Sequence, residues 1–262
     1  MMDASQALLV GGGAFLAGGM NAMAGGGTFF SFPALLAAGV PPVMANASNS
    51  VAMWPASLSS AWAYRREVSR HPRWTALLVA LSFVGGICGG LLLLSTSNAA
   101  FSRLVPWLLL VATALFAFSG QVSRVVAATK ARLGMSKSES GTPGGIGGLL
   151  FQFIVAVYGG FFGAGMGILT LAALAIQGVE DIQELNGLKN LTSAVNYTVA
   201  AATFIIAGAI SWPHTLLMIA TAMVGALAGA SLARRLPAIW LRRLVVAVGA
   251  ALSVIYFIKT YS

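Results

Sequence analysis

Charge is what this sequence lacks. Of 262 residues six are acidic and 15 basic, 8% in all, where a water-soluble globular domain carries about 25%. A chain so poor in ionisable groups cannot clothe a water-facing surface, and 58% of it is apolar. Five stretches, 4–64, 74–102, 104–123, 140–179 and 190–233, contain no Asp, Glu, Lys or Arg. A helix crossing the hydrocarbon core needs about 20 apolar residues, so these stretches hold several spans. The alternating polarity of a closed β-barrel is missing, since residues 107–118 are apolar on every side. The spans are therefore expected to be helical.

Cysteine and histidine are also scarce. Cys88 is alone, within Gly85-Gly86-Ile87-Cys88-Gly89-Gly90, so it has no partner thiol and is expected to be a packing residue. His71 and His214 fall at expected membrane edges, and the expected spans hold no Asp or Glu. That excludes a buried carboxylate proton relay, a catalytic triad and a metal cluster. Neither an enzyme nor a bound cofactor is expected, and no soluble domain, coiled coil or long tail offers a scaffold for partners. No Lys or Arg precedes the first apolar run and Asp3 is acidic, unlike a cleaved leader. The run reads as a retained first span.

A net charge of +9 would suggest nucleic acid in a soluble protein, but here placement matters more than the sum. Arg65, Arg66, Arg70 and Arg73 form one group; Arg124, Lys130, Arg132 and Lys137 a second; Arg234, Arg235, Arg242 and Arg243 a third. Short basic connections stay cytoplasmic. Residues 45–64 then run outside to inside, 74–95 return, and 103–123 run inward again. Residues 5–40 begin and end outside, as a hairpin broken at Gly25-Gly26-Gly27. The second half starts inside, with a hairpin over 146–178 broken at Gly163-Ala164-Gly165-Met166-Gly167 and spans near 185–209, 214–233 and 241–259. The expected units are 1–127, a polar cytoplasmic linker over 128–145, and 146–262, with both termini external. The six tryptophans mostly fall near span ends, where indoles anchor at the interface.

Adding 140 to positions in the first half matches Gly19 with Gly159, Gly25 with Gly165, Gly27 with Gly167, Asn46 with Asn186, Gly85 with Gly225, Gly89 with Gly229, and Arg103 with Arg243. Each half offers one returning hairpin and three crossings, an odd number, so the second copy must enter the membrane upside down. The expected fold is an all-α integral membrane protein of two inverted-topology repeats, each a broken helical hairpin plus three transmembrane helices. In such transporters the site lies near the midplane, where broken helices expose backbone polar groups.

The candidate site follows from that rule. Irregular backbone at membrane depth is tolerated only where it lines protein or a watery cavity, which singles out Gly25, Gly26, Gly27, Gly163, Gly165 and Gly167. Each break also begins a half-helix whose N-terminus favours negative charge. The competing reading is close helix packing through small residues. Asn46, Asn49 and Ser50 in the first half, and Asn186, Asn190 and Ser193 in the second, donate neutral hydrogen bonds suited to an anion that must be released. Helix capping and interhelical bonding compete for the same residues. Lys189 is the one cation within reach, and snorkelling to the interface beside Glu180, Asp181 and Glu184 is its expected role.

The stretch Gly-Gly-Gly-Thr-Phe-Phe-Ser-Phe-Pro at 25–33 resembles the first glycine motif of the TauE/SafE family of sulfite-exporter-like permeases. Gly163 to Gly167, Asn186-Gly187-Leu188-Lys189-Asn190-Leu191, Ala207-Gly208-Ala209-Ile210-Ser211-Trp212 and Gly225-Ala226-Leu227-Ala228-Gly229-Ala230 resemble it too, so the likeness covers nearly the whole chain. The resemblance implies a bacterial inner-membrane permease for sulfur-containing anions such as sulfite, sulfoacetate or related sulfonates. Its expected partners are that small anionic substrate and the lipid bilayer, without nucleic acid, and with a homodimer as the assembly considered. The alternatives are an anion channel and a permease for a different organic acid.

Overall fold

The computed structural model describes residues 2–23, 26–66, 68, 72–132, 146–177, 179, 181–233 and 238–261. The expected positions Gly25, Arg70, Lys137, Glu180, Arg234 and Arg235, and the linker beyond residue 132, lie outside them. Among the described residues the chain is helical throughout: α1 (Ala4–Met23), α2 (Thr28–Ala37), α3 (Pro42–Ala63), α4 (Pro72–Ser95), α5 (Asn98–Arg132), α6 (Ile146–Phe161), α7 (Met166–Ile176), α8 (Ile182–Ile206), α9 (Trp212–Ala233) and α10 (Ala238–Tyr261).

Local chemistry sets the boundaries. Gly39, at φ 82°, ends α2: its N–H donates to Leu36 O (3.1 Å) while Val40 N–H donates to Leu35 O (3.1 Å). Pro41 and Pro42 then open α3, where a missing N–H costs nothing. The Asp181 carboxylate caps α8, accepting from Gln183 N–H (2.7 Å) and Glu184 N–H (3.2 Å). α8 therefore starts earlier than the sequence suggested, and its first turn contains a buried carboxylate, Glu184. The expectation that the spans hold no acidic residue is corrected there. A negative charge at a helix N-terminus is favourable.

Four helices, α4, α5, α9 and α10, are long and apolar enough to cross a membrane. α3 and α8, of 22 and 25 residues, would reach about 33 Å and more but are too polar to qualify. The reason is their position. They pack on each other and on α4, α7 and α9, so residues 45–53 of α3 are buried although they include Asn46, Ser48, Asn49 and Ser50. Enclosed helices need not be apolar.

The 140-residue spacing extends to the elements. Pro42, Pro72 and Asn98 open α3, α4 and α5, and Ile182, Trp212 and Ala238 open α8, α9 and α10. Packing follows the same exchange: α1 lies on α9 as α6 lies on α4, and α2 touches α10 as α7 touches α5. Both α1–α9 and α4–α6 approach closely through glycine. A Cβ on Gly225 would strike the Phe15 carbonyl, and one on Gly89 the Val157 carbonyl.

Counterpart helices run antiparallel. Ser48 Oγ accepts from Ser211 N–H just past the end of α8 (2.9 Å), while Trp54 Nε1, further along α3, donates to Thr198 Oγ1 further back on α8 (2.9 Å). Likewise Arg242, near the start of α10, donates to Phe116 O (2.8 Å) and Ala117 O (2.6 Å), while Trp107 Nε1 donates to Tyr261 OH at its end (3.2 Å). Val43 N–H donates to Asn98 Oδ1 (3.0 Å), so α3 and α5 start at one end of the bundle. Arg65 and Arg66, which follow α3, thus share an end with Arg242 and Arg243 at the start of α10. Arg103, whose carbonyl accepts from Tyr261 OH (3.0 Å), is at the other.

Candidate functional site

The two glycine breaks form as expected. The first separates α1 from α2: Gly26 takes φ 83°, and Gly27 N–H donates to Asn21 Oδ1 (2.9 Å). The Gly27 carbonyl accepts from Phe30 N–H (2.9 Å) and Ser31 N–H (3.2 Å), starting the new helix. The second separates α6 from α7, with Gly163 at φ 79° and Gly165 at φ 77°, a region open to glycine at little cost. Two side chains brace this turn. Tyr158 OH donates to Ala164 O (2.6 Å), and Asn46 Nδ2, reaching across from α3, donates to Phe161 O (2.8 Å).

Between the breaks lies a cavity of about 440 Å³. Asn21, Gly26, Thr28 and Phe116 line it from the first half. Gly163, Gly165, Gly167, Lys189, Ser193 and Tyr197 line it from the second. Among these lining residues Lys189 alone is charged, and among the described residues no hydrogen-bond or ion-pair partner meets its ammonium. A Cβ on Gly167 would stand 3.7 Å from Lys189 Cδ, so the lysine stem crosses directly over the start of α7. The cavity also carries apolar wall from Phe116, Ile168 and Leu171.

Of the candidate positions, Gly26, Gly163, Gly165, Gly167 and Ser193 meet at this cavity. Gly27 is buried behind it. Asn46, Asn49 and Ser50 are buried and face other protein groups: Asn46 holds Phe161 O, Asn49 Oδ1 accepts from Ser31 Oγ (2.5 Å), and Ser50 Oγ donates to Asn46 O (3.0 Å). Asn186 and Asn190 are partly buried on α8 and do not line it.

A cluster of aromatic rings adjoins the second break. Phe101 of α5 makes edge contacts with Phe32 (6.4 Å between centroids), Phe161 (5.6 Å) and Phe162 (6.4 Å). Phe32 also meets Phe162 (5.6 Å), and Tyr158 packs on its far side (6.4 Å). The cluster lies toward the bundle end where α5 begins.

The family model described as Sulfite exporter TauE/SafE matches residues 10–256. The chain belongs to that family. Its relatives include a "Probable membrane transporter protein" of Haemophilus influenzae (strain ATCC 51907 / DSM 11121 / KW20 / Rd), 28% identical over 83% of this chain and 81% of its own length. "Probable membrane transporter protein ORF9" of Sinorhizobium sp is 27% identical over 92% and 88%. "Probable membrane transporter protein YfcA" of Escherichia coli (strain K12) is 26% identical over 92% and 85%. No solved structure matches the chain closely. As a TauE/SafE member with four helices apolar enough to cross a bilayer, the chain is a multi-pass membrane transporter.

In this TauE/SafE chain the sequence reading missed Tyr197, Asn21 and Thr28 as cavity residues and took Lys189 as the one cation within reach. Lys189, for which an interfacial role is expected, lies on the cavity wall about 12 Å along α8 from the Asp181 cap. The repeat spacing held the signal, since Lys189 occupies the position 140 residues after Asn49.

Proposed function

We propose that this transporter carries small anions, sulfite or a short organosulfonate such as sulfoacetate, by alternating access about the cavity between its two interrupted hairpins. The observation that carries this reading is Lys189, an ammonium without a counter-charge among the described residues, on the wall of the cavity. An unpaired charge away from water is costly, and an anionic guest offsets that cost. The amide ends of α2 and α7 add donors and a favourable dipole. Gly26, Gly27, Gly163, Gly165 and Gly167 let the backbone approach the guest, with Ser193 as a neutral donor. Asn49 orients Ser31 on α2, Asn46 holds the second break against α3, and Ser50 bonds the Asn46 carbonyl within α3. Asn186 and Asn190 enter the site only as α8 shifts.

The antiparallel counterparts support an inverted repeat over 1–127 and 146–262. Each half then has a conformation the other can adopt, which is the basis for exchanging outward- and inward-open states. The arginine-bearing end faces the cytoplasm of a bacterial inner membrane on this reading, and both termini are external. The aromatic cluster around Phe101 closes the external side in the present conformation. An inside-negative potential favours export by about 2.3 kcal/mol per charge per 100 mV.

Flux in proteoliposomes tests the cargo directly. Saturable movement of sulfite or sulfoacetate, with each competing against the other, is the expected result. Transport of an unrelated organic acid with no competition by either sulfur anion would reassign the cargo.

A further inference from the structure

The cavity between the breaks is not alone. A larger groove, of about 850 Å³, runs between α3, α4 and α8 near the end that carries Arg65. Its walls are apolar: Leu58, Trp62 and Phe83 are 44%, 69% and 48% exposed, with Leu191 and Val195 across from them. Its hydroxyls are already engaged. Ser59 Oγ donates to Pro55 O (3.0 Å); Thr198 Oγ1 donates to Ala194 O (2.7 Å) and accepts from Trp54 Nε1 (2.9 Å). The inside of the groove therefore has nothing to offer a polar partner.

Its mouth is different. The Arg65 guanidinium lies 4.6 Å from the centre of the Trp62 ring and donates one bond to Trp62 O (3.0 Å), and no carboxylate pairs with it among the described residues. A single fixed cation at one end of an apolar trough is complementary to an amphiphile with a negative head.

We propose that this groove binds an anionic phospholipid, with an acyl chain along Phe83, Leu191 and Val195 and its phosphate on Arg65. The groove follows the α3–α8 seam between the two halves, so a lipid seated there touches both. The proposal needs only that the chain is membrane-embedded and does not depend on the cargo. A second copy of the chain is the competing occupant, but a self-contact would leave the Arg65 charge without a counter-charge in the groove.

Quenching of Trp62 by lipids brominated on the acyl chain tests it. Reconstituted protein is titrated with brominated phosphatidylglycerol or brominated phosphatidylcholine, and W62F isolates the Trp62 signal from the other indoles. Half-quenching by phosphatidylglycerol is expected at an about fivefold lower mole fraction, the factor a single surface cation supplies. R65Q should erase the preference and R65K retain it. Equal quenching by the two lipids in the unaltered protein would overturn the proposal, whatever R65Q does. Trp62 emission untouched by either lipid would overturn it too, in favour of a covering second copy.

Discussion

A half-buried ammonium without a counter-charge is expensive, so its retention on the cavity wall asks for a role outside stability. The Lys189 ammonium has no bond to a described group, while Asn49, 140 residues earlier, is neutral and accepts from Ser31. The site thus has one positive charge where strict repetition would give none or two. Hydrogen bonds to a charged partner are worth about 1.5–3 kcal/mol. Lys189→Gln should therefore weaken half-saturation for the anion by roughly 10- to 100-fold without lowering the unfolding temperature, because the variant removes an uncompensated charge. Lys189→Arg should recover part of the affinity. Concentration-dependent flux and thermal unfolding in detergent check the two halves of this prediction. A variant that loses stability and keeps affinity would make Lys189 a structural residue.

At the scale of the element, the breaks matter because of backbone conformation more than space. A Cβ on Gly165 would meet Leu115 Cδ1 at 3.5 Å, an ordinary contact, but its φ of 77° is left-handed. Gly165→Ala should cost about 1–2 kcal/mol through that conformation alone, read as a lowered unfolding temperature, with slowed transport because the turn starts α7 beside the cavity. A Gly165→Ala protein as stable as the parent would mean that the turn relaxes freely. Such breaks were legible only in part, because glycine clusters at 11–13 and 85–90 sit inside the unbroken α1 and α4, while those near Gly26 and at 163–165 take left-handed φ and end a helix. Helix number and order were legible from the apolar runs. The facing of α3 and α8 was not: Asn46 and Ser193 look alike as polar residues on apolar helices, yet one is spent on Phe161 O and the other opens to the cavity. Which face a polar residue takes depends on helices that pack there from elsewhere in the chain, here α6 for Asn46 and α7 for Lys189, and no local pattern records them. α8 starts earlier than the expected span because the Asp181 carboxylate caps it there.

The likeness of the two halves under the 140-residue shift is not complete, and on the proposed inverted repeat the departure should give the whole molecule a direction. The rings of Phe32, Phe101, Phe161 and Phe162 pack on one another toward the end where α5 begins, and the positions 140 residues away hold Ala172, Leu241, Asn21 and Ala22. Asn21 is exposed and lines the cavity, where Phe161, 140 residues later, is buried among the rings. Phe101 makes three edge contacts, each worth about 0.5–1.5 kcal/mol, and the opposite side has no equivalent set of rings among the described residues. The resting protein should therefore be closed at the Phe101 end and open toward the arginine-bearing end. A Cys88→Ser background carrying Ser193→Cys reports this with a membrane-impermeant maleimide. Labelling is expected in inverted vesicles, which on the proposed orientation expose the arginine-bearing end, and little in intact cells. Adding Phe101→Ala should raise labelling in intact cells several-fold, since losing even one ring pair shifts the balance by about twofold to tenfold. Equal labelling from both faces before Phe101 is altered would mean that the ring cluster is ordinary packing and that the direction of opening is set elsewhere.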